Sequence, residues 1–198
     1  MAVDHLALTL AVTIRHDGHG GVADDLADPA GLTRWVREHA ADLAPEGYTA
    51  DPAALAAVVG VRTAVRALFA RAVLPGPPSS ADAAALPDAA SALSRLNAAA
   101  ARVPLVPVLD WPAGGPPAAG FAAVDPVEPA DRLAAALAHA AIAFLAGPDL
   151  VRLRACHAPR CVRYFVQDHP RQEWCKPACG NRARVARHHA RQRGGGTA

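Results

Sequence analysis

The stretch Cys175–Arg193, CKPACGNRARVARHHARQR, places two of the chain's four cysteines four residues apart, directly ahead of a run of arginines. The other two, Cys156 and Cys161, form a second close pair, and the whole spacing is C-x4-C-x13-C-x3-C. A close pair of thiols on a tight turn presents two sulfurs to one point, and two such turns complete a tetrahedron around zinc. Cys156, Cys161, Cys175 and Cys179 are therefore the candidate metal ligands. With every position of the ion filled by protein, the expected metal is a structural Zn2+ that leaves no place for water or substrate. Two disulfides or four unrelated thiols are the alternative, disfavoured by the paired spacing and by the reducing, cytoplasmic setting expected below.

Charge is unevenly spread around this cluster. Between Arg152 and Arg193 stand eleven Arg or Lys residues and two acids, Asp168 and Glu173, a surplus of nine positive charges. The rest of the 198 residues holds nine basic and sixteen acidic groups, so the overall +2 conceals an acidic body with a basic, anion-seeking tail. At 3.6 residues per turn, Arg184, Arg187, His188 and Arg191 share one stripe of a helix, and Arg182, Val185, Ala186 and His189 the other side. The candidate nucleic-acid residues are Arg182, Arg184, Arg187, His188 and Arg191, with Val185 and the stem of Arg182 expected to pack back on the metal module. An ordinary solvated helix face is the bland alternative. Asn181 is read as the N-cap of this helix and Gly180 as the release from the tight turn before it. Phe165 and Trp174 are expected to form the small core of the module, leaving Tyr164 exposed.

Upstream, alanine dominates and only 5% of residues are aromatic, a composition that favours close-packed helices. DHLALTLAVTIRHDG, from Asp4, reads as a half-buried strand ending in a polar turn that holds His16, Asp17 and His19. Two Asp-Pro starts, Asp28-Pro29 and Asp51-Pro52, open amphipathic helices, the second a long one, and further helices are expected over about 88–100 and 128–146. VPLVPVLDW, from Val103, is an irregular or edge strand because of Pro104 and Pro107, with the first strand as its expected partner and a short third strand near 120–124. The expected fold is α+β and mostly α. A helical N-terminal domain over 1–148 carries a small antiparallel sheet, and a four-cysteine zinc-finger module over 149–193 ends in the basic helix, followed by a disordered tail at 194–198. The longest uncharged helical run, Leu133–Pro148, is too short for a bilayer, and the N-terminus lacks signal-peptide flanks. A cytoplasmic location with no membrane partner is expected.

The segment from Arg152 to Arg191 resembles the zinc finger of the CGNR family, whose signature stands here as Cys179-Gly180-Asn181-Arg182, preceded by Trp174-Cys175 and the first cysteine pair. In that family the finger follows a domain called ABATE, and members are described as stress-induced transcription regulators. The resemblance implies duplex DNA as partner; the cysteine spacing alone implies only a metal site. Upstream the likeness rests on LFARAV in the second Asp-Pro helix and on RLNAAA with Asn97. The family's first strand reads Leu-Asp-Phe-Val-Asn-Thr before an Arg, whereas Leu8–Ile14 lacks the Asp and Asn, keeps Thr13, and has Arg15 one place late. Thr13, with Arg62 and Arg66 one turn apart on an apolar helix, makes a candidate pocket for an anionic small-molecule effector. Ion pairs between those arginines and the body's surplus acids are the alternative.

A zinc-dependent DNA-binding regulator is the leading reading, and an RNA-binding module or a zinc-shaped protein-interaction adaptor the alternatives. A homodimer is expected because symmetric operators favour paired readers. No Ser/His/Asp, Cys/His or paired-carboxylate motif supports catalysis, since the four thiols are committed to metal.

Overall fold

The structure, a computed structural model, describes residues 5–19, 21–44, 46–82, 86–124, 127 and 129–194; of the tail expected at 194–198, Gly194 closes the last helix and 195–198 lie outside the described residues. In chain order the elements are α1 (Leu6–Ala11), β1 (Ile14–His16), β2 (Val22–Asp24), α2 (Pro29–His39), a 3-10 turn (Ala41–Leu43), α3 (Pro52–Ala72) and α4 (Ala89–Ala101). There follow β3 (Leu105–Asp110), β4 (Ala118–Ala123), α5 (Pro129–Leu145), a 3-10 turn (Pro148–Arg152), β5 (Leu153–Ala155), β6 (Tyr164–Val166) and α6 (Pro177–Gly194). The protein is a mostly helical α+β fold whose strands, among the described residues, form three separate antiparallel hairpins, β1-β2, β3-β4 and β5-β6.

Both Asp-Pro starts do what their chemistry requires. Asp28 accepts a hydrogen bond from Gly31 N–H at 2.7 Å and Asp51 one from Ala54 N–H at 2.7 Å, each satisfying an orphan donor of the first turn, with proline at the position that needs none. Asp88 caps α4 in the same way, through Ala90 and Ser91 N–H. The centre of the molecule is α3, which packs against α1, α4 and α5. Its buried face carries Val58, Val61, Val65, Leu68 and Phe69, and alanines on the facing helices, such as Ala92, Ala134 and Ala138, let the backbones approach closely. Phe69 is fully buried between Phe144, 5.3 Å away by ring centroid, and Tyr164, 5.5 Å away.

Two expectations are corrected. Leu6–Ala11 is a helix, and only Ile14–His16 of the first segment is a strand, paired with Val22–Asp24. The run is apolar nearly throughout, so alternation was a weak guide; its polar residues Thr9 and Thr13 stand four apart, and Ala7, Leu10 and Ala11 form the buried helical face. β3 pairs not with the first strand but with β4, the short strand expected near 120–124, in a register that sets Leu105 opposite Ala123 and Pro107 opposite Phe121. The short turn through Trp111–Pro117 makes the local hairpin the cheaper pairing in loop entropy. The polar turn at Asp17 is a plain turn, its carboxylate accepting from His19 and Gly21 N–H at 2.7 and 2.9 Å.

Candidate metal centre and nucleic-acid interface

The metal centre is built by three local structures. β5 and β6 pair with Ala155 opposite Tyr164, and the ladder continues as Cys156 N–H donates to Arg163 O at 2.9 Å. The loop between them folds into a turn closed by Cys161 N–H to Ala158 O at 2.9 Å, with Arg160 in the left-handed region at φ 63°, so Cys156 and Cys161 point to one spot. Cys175 stands just ahead of α6 and Cys179 in its first turn. All four sulfurs lie within 4.8 Å of one another, with Cys161 to Cys175 at 3.7 Å and Cys175 to Cys179 at 3.4 Å. Thiolates bound at about 2.3 Å to a tetrahedral zinc sit ~3.8 Å apart, so the four-cysteine cluster fits a zinc-finger zinc site. The sulfurs are unbridged, far beyond the ~2.05 Å of a disulfide bond.

Three of the four cysteines are buried. Hydrogen bonds from Cys156 and Cys175 draw the Cys161 thiol down to about 3, while sharing a proton with Cys156 and Cys161 pushes Cys175 up. Four thiolates held this close repel one another, and a divalent cation among them would offset that charge. Two donors also face the cluster: Cys175 N–H toward Cys156 Sγ at 3.5 Å and Arg182 Nη2 toward Cys179 Sγ at 3.1 Å. Phe165 and Trp174 cover it, as expected.

Local details at the start of α6 differ from the reading of CGNR. The helix begins at Pro177, so Cys179, Gly180 and Asn181 are already helical and Asn181 is no N-cap. Pro at the first position starts the helix earlier than the polar Asn suggested. Gly180 serves packing, not the exit from a turn: a Cβ there would stand 3.1 Å from Trp174 Cδ1. Arg182 is turned toward the cluster, its Nε donating to Pro159 O at 3.2 Å, and Ala183, not Val185, is the buried residue of the next turn. Val185 is 55% exposed. Arg184, Val185, Arg187, His188 and Arg191 lie along one exposed side of the helix, and Arg184 also reaches Asn181 Oδ1.

The family model ABATE, described as "Putative stress-induced transcription regulator", matches residues 4–148. The chain belongs to the ABATE family. The CGNR zinc finger model matches residues 152–192, a segment that contains all four cysteines and most of α6. This ABATE protein thus carries a CGNR zinc finger after its ABATE region. No curated protein matches the chain.

The ABATE and CGNR regions share a buried polar network that sequence reasoning missed. Arg66 on α3 donates to Asp82 Oδ1 at 2.8 Å, to Ala11 O at 2.5 Å, to Ser79 Oγ at 3.3 Å and to Val162 O, beside Cys161 of the four-cysteine cluster, at 3.4 Å. Tyr164 Oη donates to Asp82 Oδ2 at 2.6 Å and accepts from Ser79 N–H at 3.3 Å, and the Arg66 guanidinium lies 5.3 Å from its ring centre. Burial and the neighbouring Asp82 carboxylate push the Tyr164 hydroxyl up, so it stays a donor. Tyr164 is therefore buried, a correction of its expected exposure. Period two supplied the signal: with Phe165 turned to the cysteines, its neighbour Tyr164 must face the body.

The candidate effector residues are brought together only in part. Arg62 Nη1 donates to Thr13 Oγ1 at 3.0 Å, and the same guanidinium holds both Asp24 oxygens, at 2.5 and 2.7 Å. Partial burial raises the Asp24 carboxyl, but the Arg62 hydrogen bonds and charge, helped by Leu26 N–H, more than offset this and hold it below the ordinary value of 3.8. Arg62 and Arg66 thus have carboxylate partners within the protein.

Proposed function

We propose that this protein is a zinc-dependent DNA-binding regulator in which a closed thiolate centre fixes the start of α6 so that its outer turns lie on the phosphate backbone. The observation that carries this reading is the exposed stripe of Arg184, Arg187, His188 and Arg191 on a helix whose first turn holds Cys179. When bound, zinc supplies a tetrahedral crosslink and no open coordination position. This chain's residues do the rest: Arg182 and Pro159 tie the helix start to the first cysteine turn, and the exposed arginines supply charge-assisted donors to phosphate oxygens. A helix about 10–12 Å across also fits the ~12 Å major groove, where an arginine can fork onto guanine. The family's description as a transcription regulator supports DNA over other polyanions. A signal received in the ABATE region would reach the finger through the Arg66–Asp82–Tyr164 network, where the two regions share buried polar atoms.

The test is an electrophoretic shift with the protein's own promoter over a range of salt. If about four phosphates are neutralised per chain, log affinity falls against log salt with a slope near −3.6. Arg184→Ala, Arg187→Ala and Arg191→Ala together flatten the slope, and a chelator abolishes the shift. Tighter binding to structured RNA, or affinity indifferent to the three arginines, would overturn the reading in favour of an RNA module or a protein adaptor.

A further inference from the structure

The β3-β4 hairpin projects from the body, and its strands pair with each other alone among the described residues. An isolated two-stranded hairpin is marginal in water, and this one carries apolar side chains in the open. Phe121 is 72%, Trp111 68% and Leu109 67% exposed, and Val106, Val108 and Val124 lie between 41% and 51%. Asp110 is the only charged residue from Val103 to Val124.

The two edges of the hairpin differ. Val124 N–H donates to Pro104 O at 3.3 Å, so that pair faces inward, and the register carries Val106, Val108 and Asp110 inward with it. The outward-facing backbone groups of β3 belong to Leu105, Pro107 and Leu109, and Pro107 removes the donor at the centre of that edge. Those of β4 belong to Ala119, Phe121 and Ala123, all with N–H groups, and neither a proline nor a charge blunts Ala118–Val124. Proteins normally protect such an edge; here one edge is blocked and the other left open.

We propose that β4 is a homodimerisation edge, pairing antiparallel with β4 of a second copy across a two-fold axis at Phe121 to form one four-stranded sheet. The geometry is self-complementary: Phe121 faces its own counterpart, Ala119 faces Ala123 of the other copy, and the three pairs exchange about six backbone hydrogen bonds. The two phenylalanine rings become cross-strand neighbours on one face. A near-neutral surface has nothing to steer a charged partner and no repulsion against itself. The pairing covers the open backbone edge of Ala119, Phe121 and Ala123 in both copies. This inference is independent of the DNA-binding reading.

Sedimentation equilibrium of the zinc-loaded full chain tests it. The wild type runs at twice the 20.4 kDa of the chain. Phe121→Pro, which lacks the central edge N–H, and Phe121→Lys, which sets like charges on the axis, both weaken association at least ~10-fold while circular dichroism stays unchanged. Val151→Asp, at an exposed apolar residue elsewhere, leaves the dimer intact. Oxidised by diamide, Phe121→Cys gives a covalent dimer, because paired Cα atoms about 5.5 Å apart fall within disulfide reach, and Val106→Cys does not. A wild type that is monomeric at every concentration overturns the proposal, as does a dimer indifferent to both Phe121 substitutions or one that Phe121→Cys fails to crosslink. Monomers that instead co-sediment with phosphatidylglycerol vesicles would assign the surface to lipid, which also overturns it.

Discussion

Replacing Asp82 by alanine is the sharpest perturbation of the join between the two regions. The Arg66 and Asp82 side chains are each 3% exposed, and Asp82 accepts from both Arg66 Nε and Tyr164 Oη. Removing the carboxylate leaves a buried guanidinium with only neutral oxygens, Ala11 O, Ser79 Oγ and Val162 O, as acceptors, and strips Tyr164 of its own. Breaking one side of a buried ion pair costs about 3–5 kcal/mol. In a protein of this size each kcal/mol lowers the melting temperature by ~2–4 °C, so Asp82→Ala should melt roughly 6–20 °C below the wild type. Tyr164→Phe removes the hydrogen bond to Asp82 and the longer one from Ser79 N–H but leaves the Arg66–Asp82 ion pair in place, and should cost about 1.5–3 kcal/mol, less than Asp82→Ala. Thermal and urea unfolding with zinc in excess, followed by far-UV circular dichroism, measures both. An Asp82→Ala protein within ~1 kcal/mol of wild type, or a Tyr164→Phe protein as damaged as Asp82→Ala, refutes a desolvated charge clamp at this join.

Three further outcomes follow from the geometry. Gly180→Ala forces Trp174 away from the helix that carries Cys179, and should weaken zinc roughly tenfold in competition with a chromophoric chelator; unchanged affinity would mean the indole shifts freely. Asp24 has a folded value below the ordinary 3.8, so its contribution to stability is complete above that pH and is lost as pH falls through the depressed folded value. The gap in melting temperature between wild type and Asp24→Asn should therefore close on acidification below 3.8, and a gap that persists there contradicts the Asp24–Arg62 pairing. Asp51→Ala removes the cap of the central helix and should cost ~1 kcal/mol by denaturant titration, with Asp51→Asn close to wild type.

What the sequence revealed follows from how local each signal is. The cysteine pairs were legible because knuckle geometry is fixed within a few residues, and the Asp-Pro starts because cap and helix lie in one turn. Leu6–Ala11 was misread because an apolar run of that length satisfies strand and helix alike, and only packing against α3 and α5 decides. Asn181 has the residue type of a cap, but Pro177, four positions earlier, suits the first helical turn and starts the helix there. Asp82 and Ser79 had no signature at all: they meet Arg66 and Tyr164 only after the loop following α3 folds back beneath the cysteine hairpin. The open edge of β4 likewise emerged only from the register, which set Pro107 on the opposite edge.

Metal content bears most directly on the whole account. The purified protein should contain one zinc per chain, and its cobalt-substituted form should show the intense visible bands of a tetrahedral four-thiolate site, lost together with Cys179→Ser. Protein that folds fully without metal, or cobalt spectra of an octahedral, oxygen-rich site, would contradict it.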